Sequence, residues 1–180
     1  MKTLVIHPAD KSTDFLTPIY SNIADATVIK GGMNRNRVDE HIQNHDRIMM
    51  MGHGSPYGLF SIGQFGSWSY VIDGHTVDLL ENKECIFIWC NADKFVEKYN
   101  LKGLYSGMFI SEVLEANYCG LPGTSQDIVT ESNNYFAKEL GLVSGQSLVE
   151  AYEYIKDSYG VLADNNPVAK YNHHRLYLNS

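Results

Sequence analysis

His53 lies between two glycines, in Gly52-His53-Gly54-Ser55, and Cys90 follows it by 37 residues. A free thiol has a pKa of ~8.5 and is mostly protonated at neutral pH. A nearby imidazole can take its proton, or hold the thiolate as an ion pair. The glycines have a use of their own, because they let backbone N–H groups approach a substrate carbonyl. The N–H groups of Gly54 and Cys90 are then candidates for an oxyanion hole, where losing one donor typically costs ~2.7–4 kcal/mol of barrier. The chemistry these residues suit is nucleophilic acyl transfer.

For the pair to meet, both residues must stand at one edge of one sheet. Short apolar runs alternate with amphipathic stretches along the chain. Thr3–Ile6, Ala26–Lys30, Ile48–Met51 and Glu84–Trp89 read as buried strands. A fifth strand is expected over Gly103–Ile110 and a last one over Lys170–Leu178. Helical stretches are expected at Phe15–Ile23, Asn36–Asn44, Val77–Asn82, Asp93–Tyr99 and Ser111–Tyr118. Two longer amphipathic helices follow at Ile128–Leu140 and Gln146–Asp157, with Gly141 and Gly160 in C-cap positions. Ser61–Gly74 reads as a β-hairpin or flap. The alternation predicts an α/β fold, a three-layer sandwich with a mainly parallel central sheet.

Open α/β sheets bind ligands at the carboxyl ends of their strands. His7 and Asp10 follow the first strand there, Gly52-His53-Gly54-Ser55 the third, and Cys90-Asn91-Ala92-Asp93 the fourth. His7, Asp10, Ser55 and Asp93 are therefore candidate substrate contacts around the Cys90–His53 pair. Ser55 lacks the Gly-x-Ser-x-Gly setting of a hydrolase nucleophile. His41 and His45 are four apart on an expected helix, but no Glu accompanies them as in His-Glu-x-x-His, so no metal is expected. Met49-Met50-Met51 reads as core filling.

The rest of the composition bounds the partners. At 180 residues a single domain over 1–180 is expected. With 44% apolar and 19% charged residues the chain is of ordinary globular composition, which excludes a disordered one. Fourteen basic and 21 acidic residues give a net charge of −7 without any basic run, so nucleic acid and anionic membrane are not expected partners. The first residues hold too few apolar positions for a secretory signal, and no stretch approaches a membrane span. Three cysteines, Cys85, Cys90 and Cys119, are an odd number, so free thiols and a cytoplasmic location are expected. Nothing in the sequence specifies an oligomeric state.

A strand ending in Gly-His-Gly-Ser, then a hairpin, then an apolar strand ending in Cys, resembles the caspase-like cysteine peptidases. That group includes caspases, legumains, gingipains, clostripain, separases and the CHAT proteins, and Ile48–Ser55 is most similar to the gingipain-type histidine motif. Caspases place the His ~50 residues before the Cys, the order and range found here. The resemblance covers about residues 1–115. It implies a caspase-like fold, with Cys90 as nucleophile, His53 as general acid/base and the Gly54 and Cys90 amides as oxyanion hole. It also implies hydrolysis of peptide bonds in a peptide or protein substrate through a thioester, without cofactor. Asp10 or Asp93 would then select a basic P1 side chain, as acidic pockets do in gingipain- and clostripain-like relatives. Trp89 before the cysteine and Asn91-Ala92-Asp93 after it depart from the small or acidic residue and the glycine that many relatives carry there. Two other readings fit the same residues. One is a catalytically silent caspase-like module that binds a peptide or protein. The other is a small-molecule binding domain using His7, His53 and Asp10.

Overall fold

A computed structural model describes residues 1–180. Its central sheet has six strands: β1 (Thr3–Ile6), β2 (Thr27–Ile29), β3 (Arg47–Met51), β7 (Glu84–Ile88), β8 (Gly103–Ser106) and β9 (Leu176–Asn179). They lie in the order β2-β1-β3-β7-β8-β9, all parallel except β9, which pairs antiparallel with β8. Three short strands, β4 (Gly54–Ser55), β5 (Gly58–Phe60) and β6 (Tyr70–Ile72), form a separate antiparallel sheet. The α/β architecture read from the sequence is the one found. The hairpin differs, because its first strand starts directly after His53 rather than at Ser61.

Alternation along the strands builds two cores. Leu4, Ile6, Ile48, Met50, Cys85 and Phe87 face one side, and Val5, Met49, Met51, Ile86 and Ile88 the other. The first side is covered by α2 (Arg35–Gln43), α3 (Val77–Leu80), α4 (Ala92–Tyr99) and the small sheet. The second is covered by a 3-10 turn (Lys11–Leu16), α1 (Pro18–Ser21), α6 (Gln126–Val143), α7 (Leu148–Ala163) and α8 (Pro167–His173). α5 (Val113–Tyr118) lies between β8 and α6. The result is three layers. No helix is long and apolar enough to cross a membrane.

Three local expectations are corrected. Gly141 and Gly160 are not caps but lie inside α6 and α7. A Cβ at Gly141 would overlap the Pro18 carbonyl, so this glycine permits close approach of α1. Lys170–Leu178 is not one strand, since Asn166 caps α8 by accepting from Ala169 N and β9 begins only at Leu176. His173 and His174 therefore sit at a helix end, and His173 bonds the Lys156 carbonyl at 2.8 Å.

The far end of the sheet is held by Arg47, which is buried at the start of β3. Its guanidinium donates to the carbonyls of Ser144 and Gln146 between α6 and α7 and pairs with Glu84 on the neighbouring strand. It thus satisfies carbonyls that the end of α6 leaves open. Replacing Arg47 by Met should cost about 2–4 kcal/mol, because the carbonyls and Glu84 lose their partner. Urea unfolding of the two proteins measures this directly.

Candidate active site

The strand order reverses at β1, so the crevice between the ends of β1 and β3 is where such a sheet takes a ligand. The chain after β1 turns at Asp10, whose side chain caps the 3-10 turn by accepting from Ser12 N at 2.9 Å. The chain after β3 makes Gly52 (φ +140°), a conformation that suits glycine, and then presents His53. The chain after β7, the neighbour of β3, presents Cys90. The first two meet, and all three line one notch.

Cys90 and His53 line the same notch, of about 20 Å³, together with Gly52, Thr13, Phe109 and Ser111. That volume suits about one water or one substrate oxygen. His53 Nε2 is 2.7 Å from Ser12 Oγ and 3.6 Å from Asp10 Oδ2. Ser12 Oγ in turn donates to Asp10 Oδ1 at 3.0 Å. With its proton committed to Asp10, Ser12 accepts from His53, which places the ring proton on Nε2. Nδ1 is then the basic nitrogen, and no protein group occupies it. The Ser12 N–H and hydroxyl hold the Asp10 carboxyl below the usual carboxylate range, with help from His53, so the anchor stays charged. Serine, histidine and aspartate here are not a serine-protease triad. In a triad the aspartate bonds the ring nitrogen opposite the serine and the hydroxyl donates to the imidazole.

The thiol rests neutral. Burial pushes Cys90 up to about 12, and the Glu115 carboxylate adds to that shift. Cys90 Sγ donates to the Phe109 carbonyl at 3.2 Å and lies 3.7 Å from Glu115 Oε1. Of the two ways an imidazole can activate a thiol, this geometry favours proton removal during attack over a standing ion pair.

The backbone amides of Gly54 and Cys90 are both left free of protein partners. Asn91 adopts a left-handed conformation (φ 66°) that turns the chain from β7 into α4 and bonds Gly107 O through its own N–H. The Cys90 N–H has no protein partner. In the β4–β5 ladder, Phe60 N donates to His53 O and Gly54 pairs with Leu59, so Gly54 occupies a non-hydrogen-bonded position whose N–H points away from β5. Trp89 explains how the two loops keep their spacing. Its Nε1 donates to Ser55 O at 3.1 Å, and a Cβ at Gly54 would overlap its ring.

The remaining sequence candidates separate. Asp10 joins the site as the anchor behind His53, not as a free wall of a substrate pocket. His7 is only 1% exposed and does not line the notch. Its Nδ1 meets Tyr20 Oη at 3.0 Å and its Nε2 meets Thr13 Oγ1 at 3.1 Å, so it supports the turn that carries Asp10 and Ser12. Ser55 Oγ is bound to Tyr70 Oη and Tyr57 N. Asp93 sits in the first turn of α4, 3.6 Å from Lys94 Nζ, and is not in the notch. His45 bonds the His41 carbonyl and Thr27, so the two rings are not turned to a shared ion. Sequence reasoning missed Ser12 and Glu115. The Asp-x-Ser cap at the start of the turn was the available signal for the first.

No protein-family model matches this chain. No curated protein is similar to it. The crystal structure of an NADPH-quinone reductase from P. pentosaceus overlaps 76% of this chain and 98% of its own, at 15% identity and a TM-score of 0.36. A superposition that loose bears on neither site nor activity.

Two outcomes follow from the titrating groups. Burial lowers His7 from 6.5 to about 4, and the Lys30 charge adds to this. The unfolded chain therefore binds a proton that the folded chain refuses between those values. Stability should be complete above pH 6.5 and fall by up to about 3 kcal/mol as pH drops towards 4. Denaturant midpoints from pH 7.5 to 4.5, with His7→Gln giving a flatter profile, check it. Iodoacetamide should modify Cys90 slowly at neutral pH and faster as pH rises past 9. Glu115→Gln should move that profile to lower pH, read by peptide mass mapping.

Proposed function

We propose that this chain is a caspase-like cysteine endopeptidase with Cys90 as nucleophile and His53 as general acid/base. The observation that carries the reading is a shared notch lined by Cys90 and by a histidine anchored through Nε2 and open at Nδ1. Sγ attacks the scissile carbonyl carbon while its proton passes to His53 Nδ1. The oxygen, now negative, sits between the N–H groups of Gly54 and Cys90. The C–N bond then breaks as His53 returns the proton to the leaving amine, which gives a thioester. Water attacks the thioester with His53 as base, the C–S bond breaks, and Cys90 recovers its proton. The neutral resting thiol makes His53 indispensable, because no preformed thiolate waits for substrate. The unpaired cysteines fit a reducing compartment such as the cytoplasm.

A silent peptide-binding module is the second reading. The carboxylate beside Cys90 favours it, since a negative neighbour opposes thiolate formation. Turnover of a mixed peptide library decides between them. Cys90→Ala and His53→Ala should each abolish cleavage. Ser12→Ala and Asp10→Asn should lower kcat roughly tenfold to a hundredfold with KM little changed, because they loosen the base without touching substrate. Wild-type protein that cleaves nothing, yet binds peptide, would establish the module instead.

A further inference from the structure

A larger cavity, of about 450 Å³, opens beside the notch. It shares Phe15 and Ser111 with the notch and reaches Ser12, which holds His53. A peptide with its scissile carbonyl in the notch lays an adjacent side chain here.

One wall is a face of α6. Gln126, Thr130, Asn133 and Asn134 recur at helical spacing and all line the cavity. Gln126 Nε2 donates to Thr130 Oγ1, which leaves the glutamine carbonyl unused. Asn133 is buried, and its Nδ2 donates to the Ser111 carbonyl at 2.9 Å. That bond fixes the amide, and its Oδ1 is buried without a partner. The charged residues here are one of each sign, Lys11 and Glu112, and the Glu112 carboxylate is engaged in the capping box of α5. Lys11 is exposed, where its charge is well solvated.

The α6 wall offers only neutral carboxamides and a hydroxyl, so an ionised side chain finds no opposite charge on it. A carboxamide brings two donors and an acceptor to a wall of carboxamides and hydroxyls. We infer that the cavity receives a glutamine or asparagine side chain next to the scissile bond. The assignment rests on the peptidase reading and replaces the expected basic preference. Asp10 is engaged with Ser12 and His53, and Asp93 lines neither cavity.

Two measurements separate this assignment from the peptidase reading. In the first, Cys90→Ala protein is titrated calorimetrically with capped pentapeptides that differ only in a central Gln, Asn, Arg, Asp or Leu. The Gln and Asn peptides should bind about tenfold more tightly than the others. Thr130→Glu combined with Asn134→Asp, both at exposed positions, should transfer the preference to Arg. Equal affinities, a preference for Arg, Asp or Leu in the unmodified wall, or no binding at all would overturn the assignment. In the second, wild-type protein is given a fluorogenic library varied on both sides of the scissile bond. Cleavage without a Gln or Asn preference overturns the assignment and keeps the peptidase. Selective binding of the Gln and Asn peptides without any cleavage overturns the peptidase, and with it the place beside a scissile bond, and leaves a carboxamide-binding pocket.

Discussion

The site depends on one packing constraint, the fit of the Trp89 indole under Gly54. Trp89 is buried, wedged edge-on between Phe87 and Phe95, and has no room to move. Its indole N–H holds Ser55 O, and its ring occupies the space where any larger residue at position 54 would place a Cβ. Cys90 is its chain neighbour on one side, and His53 is the chain neighbour of Gly54 on the other. The nucleophile and the base candidates are thus set apart by a rigid aromatic spacer rather than by two independent loops. The tryptophan that the sequence resemblance leaves unexplained is the part that sets the spacing between the His53 and Cys90 loops.

Around that spacer the work is divided. The first crossover, through Asp10 and Ser12, controls the tautomer of His53, while the segment after β8 controls the thiol. Burial there, with the Glu115 carboxylate 3.7 Å away, keeps Cys90 protonated at rest. Such a site is protected against oxidation and alkylation between encounters, because the reactive form of sulfur is the thiolate. In the proposed reaction the rate would hang on the orientation of the imidazole, and the buried His7 supports the turn that carries its partner Ser12.

Much of this was legible in the chain because sheet chemistry is periodic. The continuous apolar runs at Ile48–Met51 and Glu84–Trp89 mark strands buried on both faces, and strand ends are where His53 and Cys90 stand. What was not legible comes from contacts between distant segments. Ser12 meets His53 across 41 positions and Glu115 meets Cys90 across 25, and neither pairing has a local signature. Gly141 reads as a cap by its place near a helix end, yet its reason is the backbone of α1 pressed against it. Asn166-Pro167 carries a helix-start signal, and the helix it opens takes the first residues of the Lys170–Leu178 stretch expected as a strand.

The larger cavity has its two walls at opposite ends of the chain, Lys11–Phe15 on one side and Gln126–Asn134 on the other. A ribosome that has released only the first hundred or so residues has already emitted His53 and Cys90, together with every strand between them. The wall that would grip a substrate is still missing. On the proposed reading, selectivity is therefore acquired last, when the C-terminal helices dock, and a nascent chain carries Cys90 and His53 before it carries the cavity beside them.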